Sequence, residues 1–277
     1  MEWSKTKSIL IIGLILTNII LSLYLFSSDS LFSKGDISED QSLKEVITIL
    51  EKNNIYINMD SVNYYRIIQD LELEYEGYDI EALSKKFLNG DLIVEENKIS
   101  TLDKYIEIIS NIELLYINSD KLDTNELVDL KEAYSIADRF ISAVGFGSDD
   151  KYIFNTIKED ASITVVYKQN YNNFFLEDTY MKVTISGDNV VEFNRKWFNI
   201  DNVYDNNRRV IAPSKALFLF MERFEKSDEK IIITDISFGY KLDTGVINSN
   251  VASGDAFPYW RIRTESDKIY FIEALEK

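Results

Sequence analysis

The stretch TYMKVTISGDNVVEFNRKW, residues 179–197, decides the fold class. Apolar side chains alternate with polar ones on both sides of the turn-forming residues Gly187-Asp188-Asn189. The pattern predicts two antiparallel strands, Thr179 to Ile185 and Val190 to Trp197, joined by a short turn. Because neighbouring strands joined by short turns form antiparallel sheets, the sequence favours the α+β class.

Other strand-like runs lie on both sides of this hairpin. They are Tyr152 to Ile157, Ser162 to Tyr167, Ile231 to Tyr240, Tyr259 to Thr264 and Ile269 to Ala274. Nearer the N-terminus, Leu71, Leu73 and Tyr75 alternate with glutamates, which predicts a strand with one solvated face. Residues 91–117 are apolar and predict strands with a turn. Trp260 is interpreted as a core residue of its strand and not as a binding hot spot.

Four segments have helical spacing instead. Ser42 to Glu45 has the spacing of a capping box and predicts a helix near 42–53. A second helix begins near Ile80 and ends before Gly90, and a long one runs from Leu127 to Val144. Pro213 opens the fourth, because proline is favoured in the first turn of a helix.

The polar segment Asn118 to Asp123 precedes the long helix and is the best candidate for a boundary. The sequence therefore predicts an α+β protein with an N-terminal transmembrane helix, followed by two modules of mainly antiparallel sheet with packed helices. Residues 1–30 hold a cytoplasmic stub, the helix and the start of a stalk. Residues 31–120 form the first extracytoplasmic module, and residues 121–277 hold the long helix and the second module.

The membrane helix is predicted from ILIIGLILTNIILSLYLF, residues 9–26, which carries no charge. As a helix it spans about 27 Å, close to the thickness of a bilayer's hydrocarbon core. Lys5 and Lys7 precede it, so the positive-inside rule places the N-terminus in the cytoplasm and the bulk of the chain outside. The alternative is a cleaved signal peptide, for which the only nearby processing site is Ser28-Asp29-Ser30.

Two faces of this helix are candidate partner-binding sites. Gly13 and Thr17 have the small-xxx-small spacing that permits close backbone approach, whereas Asn18 and Ser22 lie on another face. Asparagine is costly against lipid and seeks a hydrogen-bonding partner on a second helix. The alternative is a plain anchor with tolerated small polar residues.

Composition excludes several classes of function. The chain has 30 basic and 47 acidic residues, a net charge of −17, so binding to phosphate backbones or anionic lipid surfaces is disfavoured. It has neither cysteine nor histidine, which removes thiol and Ser-His nucleophiles, histidine bases and the usual zinc sites. No spacing indicates a cofactor, a metal or a catalytic pair, and only a carboxylate-only hydrolase stays open among enzymes.

Four segments of the chain carry a resemblance to a known family. The opening Met1 to Lys7 with its isoleucine-rich continuation, Ile211 to Leu217, Asp235 to Tyr240 and Pro258 to Ile262 resemble the corresponding segments of YycI proteins. The resemblance implies a non-catalytic regulator of the sensor histidine kinase (YycG/WalK-like) of the YycFG two-component system, which controls cell-wall metabolism. It also implies a YycH-like partner, with contacts through the membrane helix and the ectodomain. The alternative function is an extracytoplasmic binding module that senses a cell-wall or peptide ligand.

Overall fold

The computed structural model describes residues 14, 17, 32–36, 41–65, 67–119, 128–148, 150–159, 161–224, 229–242 and 253–276. Within them lie four helices: α1 Gln41–Lys52, α2 Ile80–Phe87, α3 Leu130–Ala143 and α4 Pro213–Glu222. The strands are β1 Phe32–Asp36, β2 Ile55–Ile57, β3 Ser61–Tyr65, β4 Ile67–Tyr75, β5 Ile93–Val94, β6 Lys98–Ser100, β7 Lys104–Ile109, β8 Glu113–Asn118, β9 Lys151–Lys158, β10 Ile163–Tyr171, β11 Phe174–Ser186, β12 Asn189–Lys196, β13 Phe198–Arg209, β14 Ile231–Leu242, β15 Ser253–Thr264 and β16 Ile269–Glu273.

Strand pairing is mostly antiparallel, as predicted. One long sheet runs in the order β13-β4-β15-β14-β11-β12-β8-β7-β6-β5, with β10 beside β11, β9 beside β10, β16 beside β15 and β2 beside β14. β1 and β3 form a separate pair. The described parallel contacts are those of β14 with β11 and with β2. Helices packed on a mainly antiparallel sheet make this an α+β fold, which confirms that part of the predicted fold class.

Two hydrophobic cores lie along this sheet. α1 and α4 cover the first core, which includes Leu50, Phe220 and the fully buried Trp260. α2 and α3 cover the second, which includes Ile141 and Phe193. β11 runs through both, because Phe174 and Leu176 belong to the first core and Met181, Val183 and Ile185 to the second. The burial of Trp260 agrees with its interpretation as a core residue.

The cores are distributed differently from the predicted division at residue 120. β4 pairs with β13 and β15, and β8 pairs with β12, so strands from both sides of residue 120 share one sheet. The proposed boundary segment, 120–127, lies outside the described residues. The division into residues 31–120 and 121–277 stays a prediction, whereas each core draws on both segments. Long-range pairing of this kind leaves no trace in local periodicity.

Local signals account for the hairpin and the helix ends. The loop between β11 and β12 is Gly187-Asp188, and Gly187 has a φ of 56°, which a two-residue turn of this hand requires at its first position. Asp79 caps α2 by accepting hydrogen bonds from two backbone N–H groups, and Pro213 lies in the first turn of α4. β13 was not predicted, because most of its residues are polar and exposed and it pairs only with β4 among the described strands.

The predicted membrane helix falls almost entirely outside the described residues. Of residues 9–26, only Leu14 and Thr17 are described, and both are helical and exposed. Among the residues with a described structure, no helix has the length and apolarity needed to cross a bilayer. The transmembrane helix and the topology stay predictions from the sequence.

Candidate functional site

A cluster of cations and aromatic rings lies on the face of the sheet that points away from the first core. Ile236, Phe238 and Ile262 belong to that core, and because side chains alternate along a strand, Ser237 and Arg261 between them point to the other face. We call the cluster the cation–aromatic site and define it by Phe154, Lys168, Phe175, Glu177, Arg261 and Arg263.

The site exists because the sheet curls. From β9 to β15 the strand order passes through β10, β11 and β14, which would separate them by about 19 Å in a flat sheet. Yet Arg261 Nη2 of β15 donates a hydrogen bond of 3.3 Å to the hydroxyl of Tyr152 in β9. The Arg263 guanidinium lies 4.2 Å from the centroid of the Phe154 ring. Two register shifts accompany the bend: Phe154 is an extra residue of β9 opposite Val166 and Tyr167 of β10, and the pairing of β10 with β11 shifts between Tyr167 and Gln169.

Arg261 is the centre of the site and is almost fully buried. Its guanidinium lies 4.1 Å from the centroid of Phe175 and 5.1 Å from that of Phe154. It donates from Nε to Ser237 Oγ at 3.1 Å and from Nη1 to Glu177 Oε2 at 3.2 Å. A buried charge with an ion-pair partner and two aromatic faces is well compensated for its lost hydration.

Glu177 joins two of the cations. Its Oε1 accepts a bond of 2.7 Å from Lys168 Nζ, while its other oxygen accepts from Arg261. Burial lowers the pKa of Lys168, and the Glu177 carboxylate opposes that shift. Both side chains are at most 14% exposed, so the charges interact in a medium of lower dielectric than water.

Arg263 differs from the other two cations because it has no carboxylate partner. Its guanidinium stacks on Phe154 and makes no hydrogen bond or ion pair to any residue in the described part of the chain. Asp235 stands opposite Arg263 in the β14–β15 register, but its carboxylate accepts the Ser237 hydroxyl at 2.9 Å instead. Arg263 is thus a half-buried cation available to a ligand.

Gly239 permits the central stacking. Gly239 and Phe175 are partners in the parallel pairing of β14 with β11. A Cβ at Gly239 would come within 3.0 Å of the Phe175 carbonyl oxygen and of two carbons of its ring, closer than real Cβ atoms come. The ring therefore occupies the space that any side chain at 239 would need, and it is held there against Arg261.

The cluster borders a cavity of about 480 Å³. Its lining includes Tyr152, Ile153 and Phe154 of β9, the Asn170 and Asn173 side chains near the β10–β11 turn, and Arg261 and Arg263. In that turn Asn172 and Asn173 both have positive φ, 50° and 70°, as a tight two-residue hairpin requires. The volume lies within the usual range of small-molecule sites.

Tyr152 and Arg263 bring hydrogen-bond donors to the lining of the cavity. Burial raises the pKa of Tyr152, with the Arg261 guanidinium opposing, so the phenol is neutral at physiological pH. Its hydroxyl accepts from Arg261 and keeps a proton to donate. In the part of the chain with a described structure, no three potential ligands come together to hold a metal ion.

A second buried arginine, Arg195 of β12, has a structural role. Its Nη2 forms an ion pair of 2.6 Å with Glu76, and its Nη1 donates to the Tyr78 hydroxyl at 2.9 Å. The guanidinium also lies 4.3 Å from the Phe146 ring centroid. Arg195 thereby ties the segment between β4 and α2 to the end of α3 and to β12.

The four residues predicted to bind partners are not among those that form this site. Gly13, Asn18 and Ser22 lie outside the described residues, and Thr17 is described only as an exposed helical residue. Sequence reasoning missed the cation–aromatic site, although Asp235 to Tyr240 and Pro258 to Ile262 were two segments that carried the family resemblance. The sequence did contain one signal, because Arg261 and Arg263 alternate with apolar residues in a predicted strand. An arginine between Trp260 and Ile262 is expected to be buried, and the cost of burying its charge has to be offset by a partner.

A model of the YycI protein family matches residues 34–275. No curated protein matches the chain. The fold is similar to an uncharacterized protein from Eubacterium rectale, with 10% identity, a TM-score of 0.47 and coverage of 80% of this chain and 86% of that one. It is also similar to the C-terminal domain of Bacillus megaterium YpeB, with 10% identity, a TM-score of 0.44 and coverage of 71% and 93%. Both scores are too low to carry an argument. The family match spans most of the sequence, and the chain therefore belongs to the YycI family.

Proposed function

We propose that this protein is a non-catalytic, membrane-anchored modulator of the sensor histidine kinase (YycG/WalK-like) of a YycFG two-component system, acting with a YycH-like partner. The family match over residues 34–275 carries the proposal, because YycI is a regulatory family of that system. The cation–aromatic site supports a binding role, since it offers charged and aromatic contacts.

The proposed location is the cell membrane, with one crossing, a cytoplasmic N-terminus and the ectodomain outside. The uncharged span 9–26 and the preceding Lys5 and Lys7 support it. Protease added to intact protoplasts should digest the C-terminal portion. A protected C-terminus, or a membrane fraction holding only chains that begin after Ser28, would contradict this topology.

The membrane helix is proposed to carry much of the contact with the kinase and the YycH-like partner. Lipid gives helices no hydrophobic drive to associate, so small residues that allow close packing and interhelical hydrogen bonds must supply it. Gly13 and Thr17 allow the close packing, and Asn18 and Ser22 provide the interhelical hydrogen bonds. A contact worth about 1.4 kcal/mol changes an equilibrium tenfold, enough to shift the kinase between its states.

Substitutions in the span test this mechanism. Gly13→Ile should block backbone approach, and Asn18→Leu should remove the hydrogen-bonding group while insertion is retained. Each should reduce crosslinking to the kinase or the YycH-like protein and change kinase output. Ile12→Leu is the matched control, because at 100° per residue it lies about 80° or more from all four residues. If an unrelated transmembrane helix in place of residues 9–26 leaves kinase output unchanged, regulation resides in the ectodomain instead.

A second candidate function is an extracytoplasmic module that senses a ligand. The cavity beside Arg263 is the specific observation that favours it. The two functions are compatible, since a regulator that binds a ligand outside the membrane can convey that state to the kinase.

A further inference from the structure

The charges around the cavity favour a singly charged anion. Among the residues that line the cavity, Arg261 and Arg263 bring two positive charges and Asp235 brings one negative charge, while the Lys168–Glu177 ion pair outside the lining adds no net charge. The local excess is one positive charge, in a protein whose net charge is −17. A phosphate group carries about −1.5 to −2 at neutral pH, so it would overcompensate the site. A carboxylate matches the excess, and the planar fork of an arginine matches the geometry of a carboxylate.

Two donors are free to receive that carboxylate. The Arg263 guanidinium makes no hydrogen bond within the described chain and lies over the Phe154 ring, 4.2 Å from its centroid. The Tyr152 hydroxyl accepts from Arg261 and donates to none of the described residues, so its proton is available toward the cavity. Phe154 contacts Arg263, and Arg261 contacts Tyr152; the donors are thus held in place before a ligand arrives.

The backbone of β9 supplies the second half of the site. β9 pairs only with β10 among the described strands, so its other edge is an unpaired row of N–H and C=O groups. Tyr152, Ile153 and Phe154 are consecutive and all line the cavity, and Phe154 is the extra residue of a β-bulge, because the register passes from Asn155 to Ile153 opposite Val166 and Tyr167. Farther along, the Thr156 N–H donates to the Asn155 side chain at 2.7 Å. The open part of the edge is the part next to the cavity.

An extended peptide fits both halves of the site. Strand addition lets a peptide pair its main chain with an open sheet edge, while pockets beside the edge bind its side chains or its terminus. Ile153 is 42% exposed and offers an apolar contact at this edge. A volume of about 480 Å³ suits the last two or three residues of a chain.

We infer that the cavity between β9 and β15 binds the C-terminal end of a short peptide with a free carboxylate. Arg263 and Tyr152 hold the carboxylate, the edge of β9 pairs with the peptide main chain, and Ile153 and Phe154 contact an apolar last side chain. The inference deepens the sensing form of the proposed function by naming its ligand class. It does not depend on the kinase.

The test is calorimetric titration of the full chain in detergent micelles with the acetylated tripeptide acid Ac-Gly-Val-Leu and with its C-terminal amide. The acid should bind with a dissociation constant below about 1 mM, and the amide at least tenfold more weakly. Arg263→Gln should weaken acid binding at least tenfold, with partial recovery in Arg263→Lys, and Tyr152→Phe should weaken it severalfold. Arg209→Gln is the matched control, because Arg209 is an exposed arginine on β13 and does not line the cavity.

Four outcomes of the peptide titrations overturn the inference. They are equal binding of acid and amide, unchanged binding by Arg263→Gln, equal loss in Arg209→Gln, and no binding of the acid up to about 1 mM. Inorganic phosphate that competes more strongly than acetate would assign the site to phosphate and also overturn it. Since no kinase is present, these results are independent of the membrane-helix experiments.

Discussion

Gly239→Ala probes the point where the two halves of the sheet join. In the described pairing, β11 and β14 meet only at Phe175–Gly239 and Leu176–Tyr240. The new methyl group would lie 2.6 Å from Phe175 Cδ1 and even closer to the ring carbon Cγ and the carbonyl oxygen. The ring can rotate away, but the oxygen belongs to a paired strand and can move only if the strands separate.

The expected cost is about 2 kcal/mol. Overpacking a tight site destabilises by about 1–3 kcal/mol, and the upper part of that range applies because backbone is involved. Replacing glycine by alanine regains about 0.5–1 kcal/mol of conformational entropy. At about 2–4 °C per kcal/mol for a chain of this size, the midpoint of thermal unfolding should fall by about 4–8 °C.

Circular dichroism of the full chain in detergent micelles measures the change, with Gly254→Ala as the matched control. Gly254 lies in the adjacent β15, and a Cβ there would meet only Leu242 Cδ1 at an ordinary 3.5 Å. That variant should be unchanged or slightly more stable. In a Phe175→Ala background the new methyl group no longer meets the ring but still meets the carbonyl oxygen of residue 175. Gly239→Ala should therefore still lower the unfolding midpoint there, by less than in the natural sequence. Equal midpoints for Gly239→Ala and Gly254→Ala would refute the reasoning.

Three further predictions concern titration, a buried amide and metal dependence. Burial raises the pKa of Tyr78 from 10.0 to about 12, although the Arg195 guanidinium opposes the shift. The folded state therefore favours the neutral phenol, and the stability that this contributes is complete below pH 10 and is lost as the pH rises through 12. The loss is up to about 3 kcal/mol, and urea unfolding across this pH range should show a flatter profile for Tyr78→Phe. The buried Gln169 amide donates to the Phe198 carbonyl at 2.9 Å and accepts from its N–H at 3.1 Å. Gln169→Leu should therefore lower the free energy of unfolding, measured by urea titration, by about 2–4 kcal/mol. Residues 31–277 should fold alone without metal, and a chelator that abolished their circular dichroism signal would contradict this.

Local sequence signals predicted elements well where one face of the element is buried. The hairpin of β11 and β12, the helix opened by Pro213 and the alternating strand that ends at Tyr75 all follow periodicity and turn chemistry. β13 was not predicted because its residues beyond Ile200 are exposed, so apolar and polar residues do not alternate along it. Hydrophobic periodicity arises where one face of an element is buried, so an edge strand that is solvated on both faces does not show it.

The cation–aromatic site could not be predicted from local patterns. Phe154 and Arg263 are more than a hundred residues apart, and they meet because β9 curls back toward β15. Sequence spacing carries no information about such curling, which accompanies the register shifts of β10 against β9 and β11. The sequence shows Arg261 and Arg263 two residues apart, but it does not indicate which residues contact them.

The sequence by itself determined the α+β class, the approximate positions of most elements and the exclusion of histidine and cysteine chemistry, while the membrane span over residues 9–26 stays a prediction. These depend on composition or on neighbours within one turn or one strand. Only the tertiary structure decided that strands from both sides of residue 120 share one sheet, that two cores lie along it, and that an unpaired arginine borders a cavity. Those features depend on pairing between distant segments, whose free energy comes from contacts that exist only once the chain has folded.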